Sequence, residues 1–386
     1  MAHPPQLSTD RFVLKLGLFY AAYFLFGGIQ LPFFPLWLEA RGLDAATIGI
    51  VIAVPMLARI VAVPFITRAA DRHRAIKATL TICSAVGALA MTLVGLVDGV
   101  LAILLVFTVA AVAVAPIIAL SDAYALSGLG ERGRAYGPVR LWGSVAFIAA
   151  NVGAGYLLGA ISAVHLIWLI VGALFATVIA AIALDPLRVP VAAGPRASAA
   201  GLWRNPAFLA VAAAASLTQG SHALYYGFST MEWHGAGLDG VTIGALWGLG
   251  VVAEVVLFAY SARLPAALSP LVLLGIGAAG AVLRWSAMAF DPPTALLPVL
   301  QILHACSFGA AHLGAMGFLA RTVPKDLAAT AQGLVATASG IVMAAATGLS
   351  GLIYAASGSL AYLTMAAMAL AGLACAIAAQ RYARQE

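Results

Sequence analysis

The sequence predicts an all-α membrane protein with twelve transmembrane helices in two pseudo-symmetric six-helix bundles. Of its 386 residues, 63% are hydrophobic and 9% are charged, whereas roughly a quarter of the residues in soluble domains are charged. Apolar runs of roughly 20 residues recur along the chain, and each is long enough to cross a hydrocarbon core of ~30 Å as a helix. A repeat within the sequence divides these runs into two sets.

Twelve apolar runs are predicted to span the membrane. Their approximate bounds are 12–38, 48–70, 77–97, 101–126, 138–160, 163–184, 208–231, 242–262, 269–290, 295–320, 327–354 and 358–380. The long connection 185–207 is rich in Pro, Ala, Gly and Arg, which predicts a linker between an N-terminal bundle, 1–184, and a C-terminal bundle, 208–386. The first run is too long for a signal peptide, so we expect it to be retained as a helix.

The repeat aligns TIGIVIAVPMLARIVAVPFITR, residues 47–68, with TIGALWGLGVVAEVVLFAYSAR, residues 242–263, without a gap and at an offset of 195 residues. The second span therefore corresponds to the eighth, which indicates two parallel repeats. Within this match Arg59 falls on Glu254, so opposite charges occupy equivalent positions near mid-membrane.

Basic residues in the connections lie mostly on one side of the predicted membrane. They include the Arg68–Lys77 cluster, Arg132, Arg134 and Arg263, while Asp98, Asp239 and Asp291 lie on the other side. The positive-inside rule then predicts a multi-pass protein of a bacterial-type inner membrane with both termini cytoplasmic. This asymmetry accounts for the net charge of +6, so no nucleic-acid partner is expected.

Five charged residues are predicted to lie within spans: Arg59, Asp122, Arg140, Glu254 and Arg284. Asp122 and Arg140 each stand nine residues from Glu131, at the middle of the loop that joins the fourth and fifth spans. They should therefore lie at the same depth and form an ion pair. This pair either ties two helices together or faces a water-filled cavity, where the arginine would hold a polar or anionic substrate.

Polar and aromatic faces on several spans favour the second alternative. The predicted substrate-binding residues are Asp122, Arg140, Ser144, Phe147 and Asn151, with Tyr23 and Gln30 on the first span, Gln219, His222 and Tyr226 on the seventh, and Trp247 on the eighth. Faces of this kind that point inward from several membrane helices more often mark a cavity than a packed core.

Glu254 has no opposite charge near it in the sequence, so its carboxyl is a candidate proton carrier. The alternative is a permanent salt bridge with Arg59 or Arg284. His304 and His312 are eight residues apart and lie ~80° off a common face, which argues against a shared metal site. No cofactor or metal is expected.

Several motifs resemble one family of transporters. FFPLWL, RLWGSVAF, the Asp122/Arg140 pair and the order Arg284 then His304 resemble the lactose permease branch of the major facilitator superfamily. QGSHALYYGFSTMEW, LWGLGVVAEVVLFA, LRWSAMA and LQILHACSFGAAHL resemble its phenylpropionate permease type nearly segment by segment. The similarity extends over essentially the whole chain.

This resemblance implies a proton-coupled symporter that works by alternating access, with Glu254, Arg284, His304 and Arg59 near the proton site. Ser307 stands where the lactose permease pattern has a carboxylate, and Gln219 and His222 replace its acids in the seventh span. Only the DR core of the superfamily's gating motif is present, as Asp71 and Arg72.

Charge and aromatic content favour a small aromatic or other organic acid as substrate. Three intramembrane arginines face two carboxyls, and a spare arginine among aromatic rings suits an aromatic carboxylate. A sugar or nucleoside symporter is the alternative within transport, and a ligand-binding protein that moves no protons is the alternative outside it. An enzyme is not expected, because the sequence contains neither GxSxG nor HExxH, and no two of its histidines are predicted to share a helical face. We expect the protein to work as a monomer.

Overall fold

A computed structural model describes residues 6–187, 200–265, 267–324 and 327–383. Within these residues all regular structure is helical, with short 3-10 segments and one π-helical segment at Ala305–Ala310. The α-helices are α1 (Gln6–Ala40), α2 (Ala45–Arg72), α3 (Ile76–Leu96), α4 (Val100–Val114), α5 (Ile117–Gly130), α6 (Tyr136–Leu158), α7 (Leu166–Ala183), α8 (Ala200–Arg204), α9 (Pro206–Gly220), α10 (Ala223–Gly235), α11 (Gly240–Tyr260), α12 (Pro270–Met288), α13 (Leu297–Ile302), α14 (Ala311–Thr322), α15 (Ala328–Ser357) and α16 (Tyr362–Tyr382).

Eleven helical stretches in the described residues are long and apolar enough to cross a membrane. The last of them, Ala328–Tyr382, has 55 residues and would be about 80 Å long as one helix, far more than a bilayer core requires. It divides into α15 and α16 at Gly358, whose φ of 56° ends the first helix. This division confirms the predicted all-α fold with twelve membrane-spanning helices.

Three of the spans are interrupted. Pro116 follows α4 and begins α5, and proline has no backbone N–H to continue the helical ladder. Ser221 and His222 separate α9 from α10. The π-helical segment joins α13 to α14. Interrupted spans place polar backbone groups at membrane depth, where other parts of the protein must satisfy them.

The chain forms two compact units. The first comprises Met1–Leu43, Val54–Ala193 and Gly237–Ala245, and the second comprises Asp44–Ala53, Gly194–Ala236 and Leu246–Glu386. The predicted linker 185–207 contains residues 188–199, which lie outside the described residues, and α8 lies in its second half. The domain boundaries inferred from the sequence remain a prediction.

The two repeated segments begin in the same way. The backbone N–H of Thr47 donates to the Asp44 carboxylate over 2.7 Å, and that of Thr242 donates to Asp239 over 2.8 Å. These caps satisfy free N–H groups at the first turns of α2 and α11. The same hydrogen bonds lower the pKa of both Asp44 and Asp239, because they favour the charged carboxylate.

The repeated segments also share their exposed faces. Large apolar side chains form one exposed stripe on each helix: Ile50, Leu57, Val61 and Phe65 on α2, and Val252, Val256 and Tyr260 on α11. Such stripes suit contact with lipid. At about 100° per residue, Arg59 and Glu254 lie roughly opposite the stripe of their own helix. Both charges therefore point away from the lipid-facing side.

Glycines allow helices to approach closely around the candidate sites. A Cβ on Gly28 of α1 would lie 2.6 Å from the carbonyl oxygen of Phe147 on α6, and a Cβ on Gly314 would lie 2.4 Å from the backbone nitrogen of Leu274. Side chains other than hydrogen cannot fit at either contact. Small residues at helix crossings are typical of membrane bundles.

Candidate substrate and proton-coupling sites

Asp122 and Arg140 form an ion pair in the first unit, as the hairpin geometry predicts. Arg140 Nε lies 3.9 Å from Asp122 Oδ1. The same carboxylate oxygen accepts hydrogen bonds from the hydroxyls of Tyr20, over 2.7 Å, and Tyr136, over 2.8 Å. Two tyrosines therefore hold the carboxylate in place, and the arginine is a long-range third partner.

The Arg140 guanidinium lies among aromatic rings. Its central carbon is 4.0 Å from the ring centroid of Phe24 and 5.4 Å from that of Tyr20. Asp122 is its only ion-pair partner among the described residues. Because a guanidinium has five N–H donors, most of its hydrogen-bonding capacity is available to a bound molecule, and its side chain is 27% exposed.

The other predicted residues on α6 have different environments. Phe147 is half-buried and lies against Gly27, where a Cβ would be 3.8 Å from its ring. Ser144 is also half-buried. Asn151 is fully buried and donates to the Phe147 carbonyl over 2.7 Å. The structure therefore places Asn151 in the packed interior of the unit, where its side-chain nitrogen bonds to its own helix and its side-chain oxygen has no hydrogen-bond partner among the described residues.

The first unit holds three more predicted residues. Tyr23 and Gln30 are half-buried on α1, and Arg59 is exposed on α2. Tyr23 lies within electrostatic range of Arg59, Arg140 and Asp122. Tyr23 is thus the predicted residue of this unit that interacts electrostatically with both arginines.

Arg284 is the centre of a buried polar cluster in the second unit. Its side chain has no exposed surface. Nη2 donates to Gln301 Oε1 over 2.7 Å, while Nη1 donates to His304 Nδ1 over 3.1 Å and to Ser307 Oγ over 3.4 Å. Tyr225 donates its hydroxyl to the same Gln301 oxygen over 2.9 Å. All these arginine contacts are with neutral acceptors.

His222 stands at the interruption between α9 and α10. Its Nδ1 lies 3.1 Å from the carbonyl oxygen of Thr218 and 3.2 Å from that of Gln219. Since a carbonyl only accepts, Nδ1 carries the proton and Nε2 accepts from Ser307 Oγ over 3.1 Å. His222 therefore stabilises the interrupted backbone and orients the Ser307 hydroxyl.

Glu254 and His304 form the junction between α11 and the π-helical segment. Glu254 Oε2 lies 3.6 Å from His304 Nε2. Glycines allow this approach, because a Cβ on Gly250 would lie 3.4 Å from the His304 Cβ and one on Gly309 would lie 2.9 Å from Leu257 Cδ2. π-Helical segments occur frequently at functional sites.

Aromatic rings cover the polar cluster. Tyr225 stacks on Trp247 with 4.6 Å between ring centroids, and Tyr226 lies 6.0 Å from the same tryptophan. The Trp247 indole N–H donates to Thr230 over 3.0 Å. The Arg284 guanidinium lies 4.5 Å from the Tyr225 ring and 4.6 Å from the Trp285 ring. Rings and cation are thus packed in contact.

Sequence patterns missed two residues that organise these clusters. Tyr136 precedes the predicted face of α6, and Gln301 lies three residues before His304, a spacing that places both on one helical face. The gating candidates Asp71 and Arg72 are exposed near the end of α2. Neither has an ion-pair partner among the described residues. Within the same residues, groups of three or more His, Cys, Asp or Glu that could hold a metal were not found.

Known proteins place this arrangement in a family. The model of the MFS_1 like family matches residues 13–364. The chain belongs to the MFS_1-like family. Its relatives in this family are major facilitator transporters rather than enzymes, so the protein is a multi-pass membrane transporter for a small-molecule substrate.

Two curated relatives match most of this MFS_1-like chain. It is 33% identical over 366 residues to the "Probable 3-phenylpropionic acid transporter" of Escherichia coli (strain K12), covering 92% of this chain and 94% of the relative. It is 29% identical over 326 residues to the "Maltose permease" of Geobacillus stearothermophilus, covering 82% and 81%.

Solved structures share the fold. The nucleoside transporter NupG superimposes with a TM-score of 0.82 at 18% identity, covering 96% of this chain and 98% of the other. A bacterial homolog of the human lysosomal transporter Spinster superimposes with a TM-score of 0.71 at 14% identity, covering 99% and 98%. These similarities establish the major facilitator fold.

Proposed function

We propose that this MFS_1-like transporter takes up a small aromatic carboxylate together with protons by alternating access. The observation that carries the substrate class is the environment of Arg140, a guanidinium packed between aromatic rings whose one carboxylate partner is 3.9 Å away. Such a group offers a fork of donors for a carboxylate and an aromatic surface for a ring. The identity to a phenylpropionic acid transporter supports the same class.

The directions of the hydrogen bonds support Glu254 as the proton carrier. Arginine only donates, so the bond from Arg284 requires a lone pair on His304 Nδ1 and leaves the imidazole proton on Nε2, facing Glu254. A doubly protonated His304 would place an N–H against an N–H of Arg284. Glu254 can accept a proton without disturbing any of these bonds.

His222 is restricted in the same way. Its Nδ1 proton is used by backbone carbonyls and its Nε2 accepts from Ser307, which in turn accepts from Arg284. Protonation of Nε2 would force the Ser307 hydroxyl to turn away. Of the two histidines and the carboxyl in this cluster, Glu254 is thus the group whose protonation leaves the bonds from Arg284 to His304 and Ser307 in place.

A cycle follows from these assignments. The substrate carboxylate and ring would bind at Arg140, Tyr23 and Phe147, and the proton at Glu254. When both sites are occupied, the two bundles would move so that the substrate site opens to the other side of the membrane. We place both termini on the cytoplasmic side, from the sidedness of the basic loops.

The test separates exchange from coupling. Purified protein in liposomes with an internal pH dye would receive 3-phenylpropionate, maltose or uridine, and labelled substrate would follow exchange. We expect protein-dependent acidification with 3-phenylpropionate. Glu254→Gln should abolish this acidification and retain exchange, whereas Glu131→Gln, in a loop, should behave as wild type.

The second candidate function is a sugar symporter, which the similarity to a maltose permease supports. The acidification measured with maltose tests it. Acidification with maltose alone would overturn the aromatic-acid proposal and support that candidate. Liposomes without protein are the essential control, because a weak acid crosses the bilayer in its neutral form and releases its own proton.

A further inference from the structure

Arg59 is a charged side chain that lies in the middle of a membrane helix and that the proposed cycle does not use. It lies opposite the exposed apolar stripe of α2, so its guanidinium does not face lipid. Its neighbour Tyr23 lies on α1 and is also within electrostatic range of Arg140 and Asp122. Arg59 therefore belongs to the same polar region of the first unit as the predicted ion pair.

In this region of the first unit, the positively charged side chains outnumber the negatively charged ones. Among the described residues, the interaction found for Arg59 is electrostatic, with Tyr23, and neither a hydrogen bond nor an ion pair involves it. The nearby carboxylate of Asp122 is held by two tyrosines and by Arg140. Two guanidinium groups are thus present with one carboxylate. An unpaired arginine in a membrane protein is costly and generally serves a function.

We propose that Arg59 binds the substrate's carboxylate, with the Tyr23 hydroxyl as a second donor. This inference rests on the proposed function and adds a second arginine to the recognition of the carboxylate. Arg59 has its whole fork of donors free for bidentate contact with an anion. Arg140 contributes a second contact to the same carboxylate, and the Phe24 and Tyr20 rings beside it offer a surface to the substrate's ring.

The equivalence of Arg59 and Glu254 in the repeat gives independent support. Both lie opposite the lipid-facing stripe of equivalent helices, and Glu254 lies beside a polar cluster in its own unit. This position in each repeat therefore points to the polar side of its bundle. A positive charge there suits the anion, and a protonatable carboxyl suits the cotransported proton.

The test compares two ligands that differ in charge and scarcely in shape, 3-phenylpropionate and 3-phenylpropionamide. Binding to purified protein would be measured calorimetrically at pH 7 for wild type, Arg59→Gln, Arg59→Lys and Arg68→Gln. We expect Arg59→Gln to weaken binding of the carboxylate about 10- to 100-fold, the range for a lost charge-assisted contact, and to leave amide binding within about twofold.

Two controls make the result specific. Arg68→Gln removes an exposed arginine from the same helix and should bind both ligands as wild type does. Arg59→Lys keeps the charge without the planar fork, so we expect an intermediate loss of carboxylate affinity. A melting temperature at or above that of wild type would accompany Arg59→Gln, since the substitution removes an unpaired charge.

Several results would overturn the inference. Arg59→Gln could bind the carboxylate as tightly as wild type does, or it could lose affinity for both ligands equally. Either result would show that Arg59 does not bind the carboxylate group, and the proposed function would stand. If wild-type protein failed to bind 3-phenylpropionate, the proposed substrate class would fail and the role of Arg59 with it.

Discussion

Arg284 Nη1 donates to His304 Nδ1 over 3.1 Å, and this contact determines which nitrogen of the imidazole carries its proton. Because a guanidinium has no acceptor, the neutral His304 must keep its N–H at Nε2, which lies 3.6 Å from Glu254. The histidine therefore works as a fixed donor between an arginine and a carboxyl. The roles of His304 and Glu254 can be distinguished by replacing the histidine with a side chain that supplies an N–H at one nitrogen position but cannot titrate.

His304→Gln should retain proton-coupled uptake in substantial part. A glutamine amide can present an N–H near the position of Nε2 and cannot titrate, so the contact with Glu254 survives without a second protonation site. We expect uptake within about tenfold of wild type for His304→Gln and a larger loss for His304→Ala. Retained exchange with abolished proton movement in His304→Gln would instead make the histidine the carrier.

Arg140→Lys should strongly reduce transport while the protein still folds. Lysine keeps the charge but not the planar fork or the stacking on Phe24. We expect uptake of 3-phenylpropionate to fall about 10- to 100-fold, the equivalent of ~1.5–3 kcal/mol, with little change in melting temperature. Arg132→Lys is the matched control, because Arg132 also stacks on a ring, that of Phe12, at 4.0 Å. If Arg140→Lys transported as wild type does, the Asp122/Arg140 pair would only hold two helices together and would not bind substrate.

Gln301→Leu should destabilise the second unit. One Gln301 oxygen accepts from both Arg284 and Tyr225, and leucine would leave two buried donors without an acceptor, at about 1–3 kcal/mol each. Thermal unfolding in detergent should show a melting temperature lower by several degrees. Gln380→Leu, which removes one bond to the Leu271 carbonyl over 3.1 Å, should have a smaller effect. Equal shifts for the two variants would contradict a central role for Gln301.

The caps of the two repeats should stabilise the protein in a pH-dependent way. Hydrogen bonds from Thr47 and Thr242 lower the folded-state pKa of Asp44 and Asp239. A lowered pKa contributes stability that is fully present above the unfolded value, about 3.9, and that is lost as the pH falls through the folded value.

The double variant Asp44→Ala/Asp239→Ala should therefore melt below wild type by a constant amount above about pH 5. The difference should shrink below about pH 4. Glu131→Ala, an exposed loop acid, should show no such trend. A difference that grew toward acidic pH would contradict the assigned caps.

Much of the fold follows from sequence because membrane helices obey simple rules. Hydropathy marks the spans, since the bilayer demands long apolar helices with internally satisfied backbones. The Asp122/Arg140 contact was predictable because a short loop brings equal distances along two helices to the same depth. The repeat predicted that α2 and α11 would resemble each other, and the shared caps and stripes agree.

Other features depend on contacts that no local pattern records. The π-helical segment at Ala305–Ala310 changes the register of its span, so ideal helical spacing could not place Ser307 against both Arg284 and His222. Asn151 shares the face of Arg140 by periodicity, yet its burial depends on the helices packed around it. For Gln301, the spacing from His304 was the one feature of the sequence that could have indicated a role in the cluster.

The chain of donors around Arg284 also has a consequence for energetics. The carboxyl that lies beside this chain is that of Glu254, next to His304, and a proton on it leaves the bonds from Arg284 to His304 and Ser307 in place. On the proposed assignment, one proton then crosses the membrane with one monovalent carboxylate, and the two charges cancel. Accumulation of the acid would respond to the pH gradient and be insensitive to the membrane voltage.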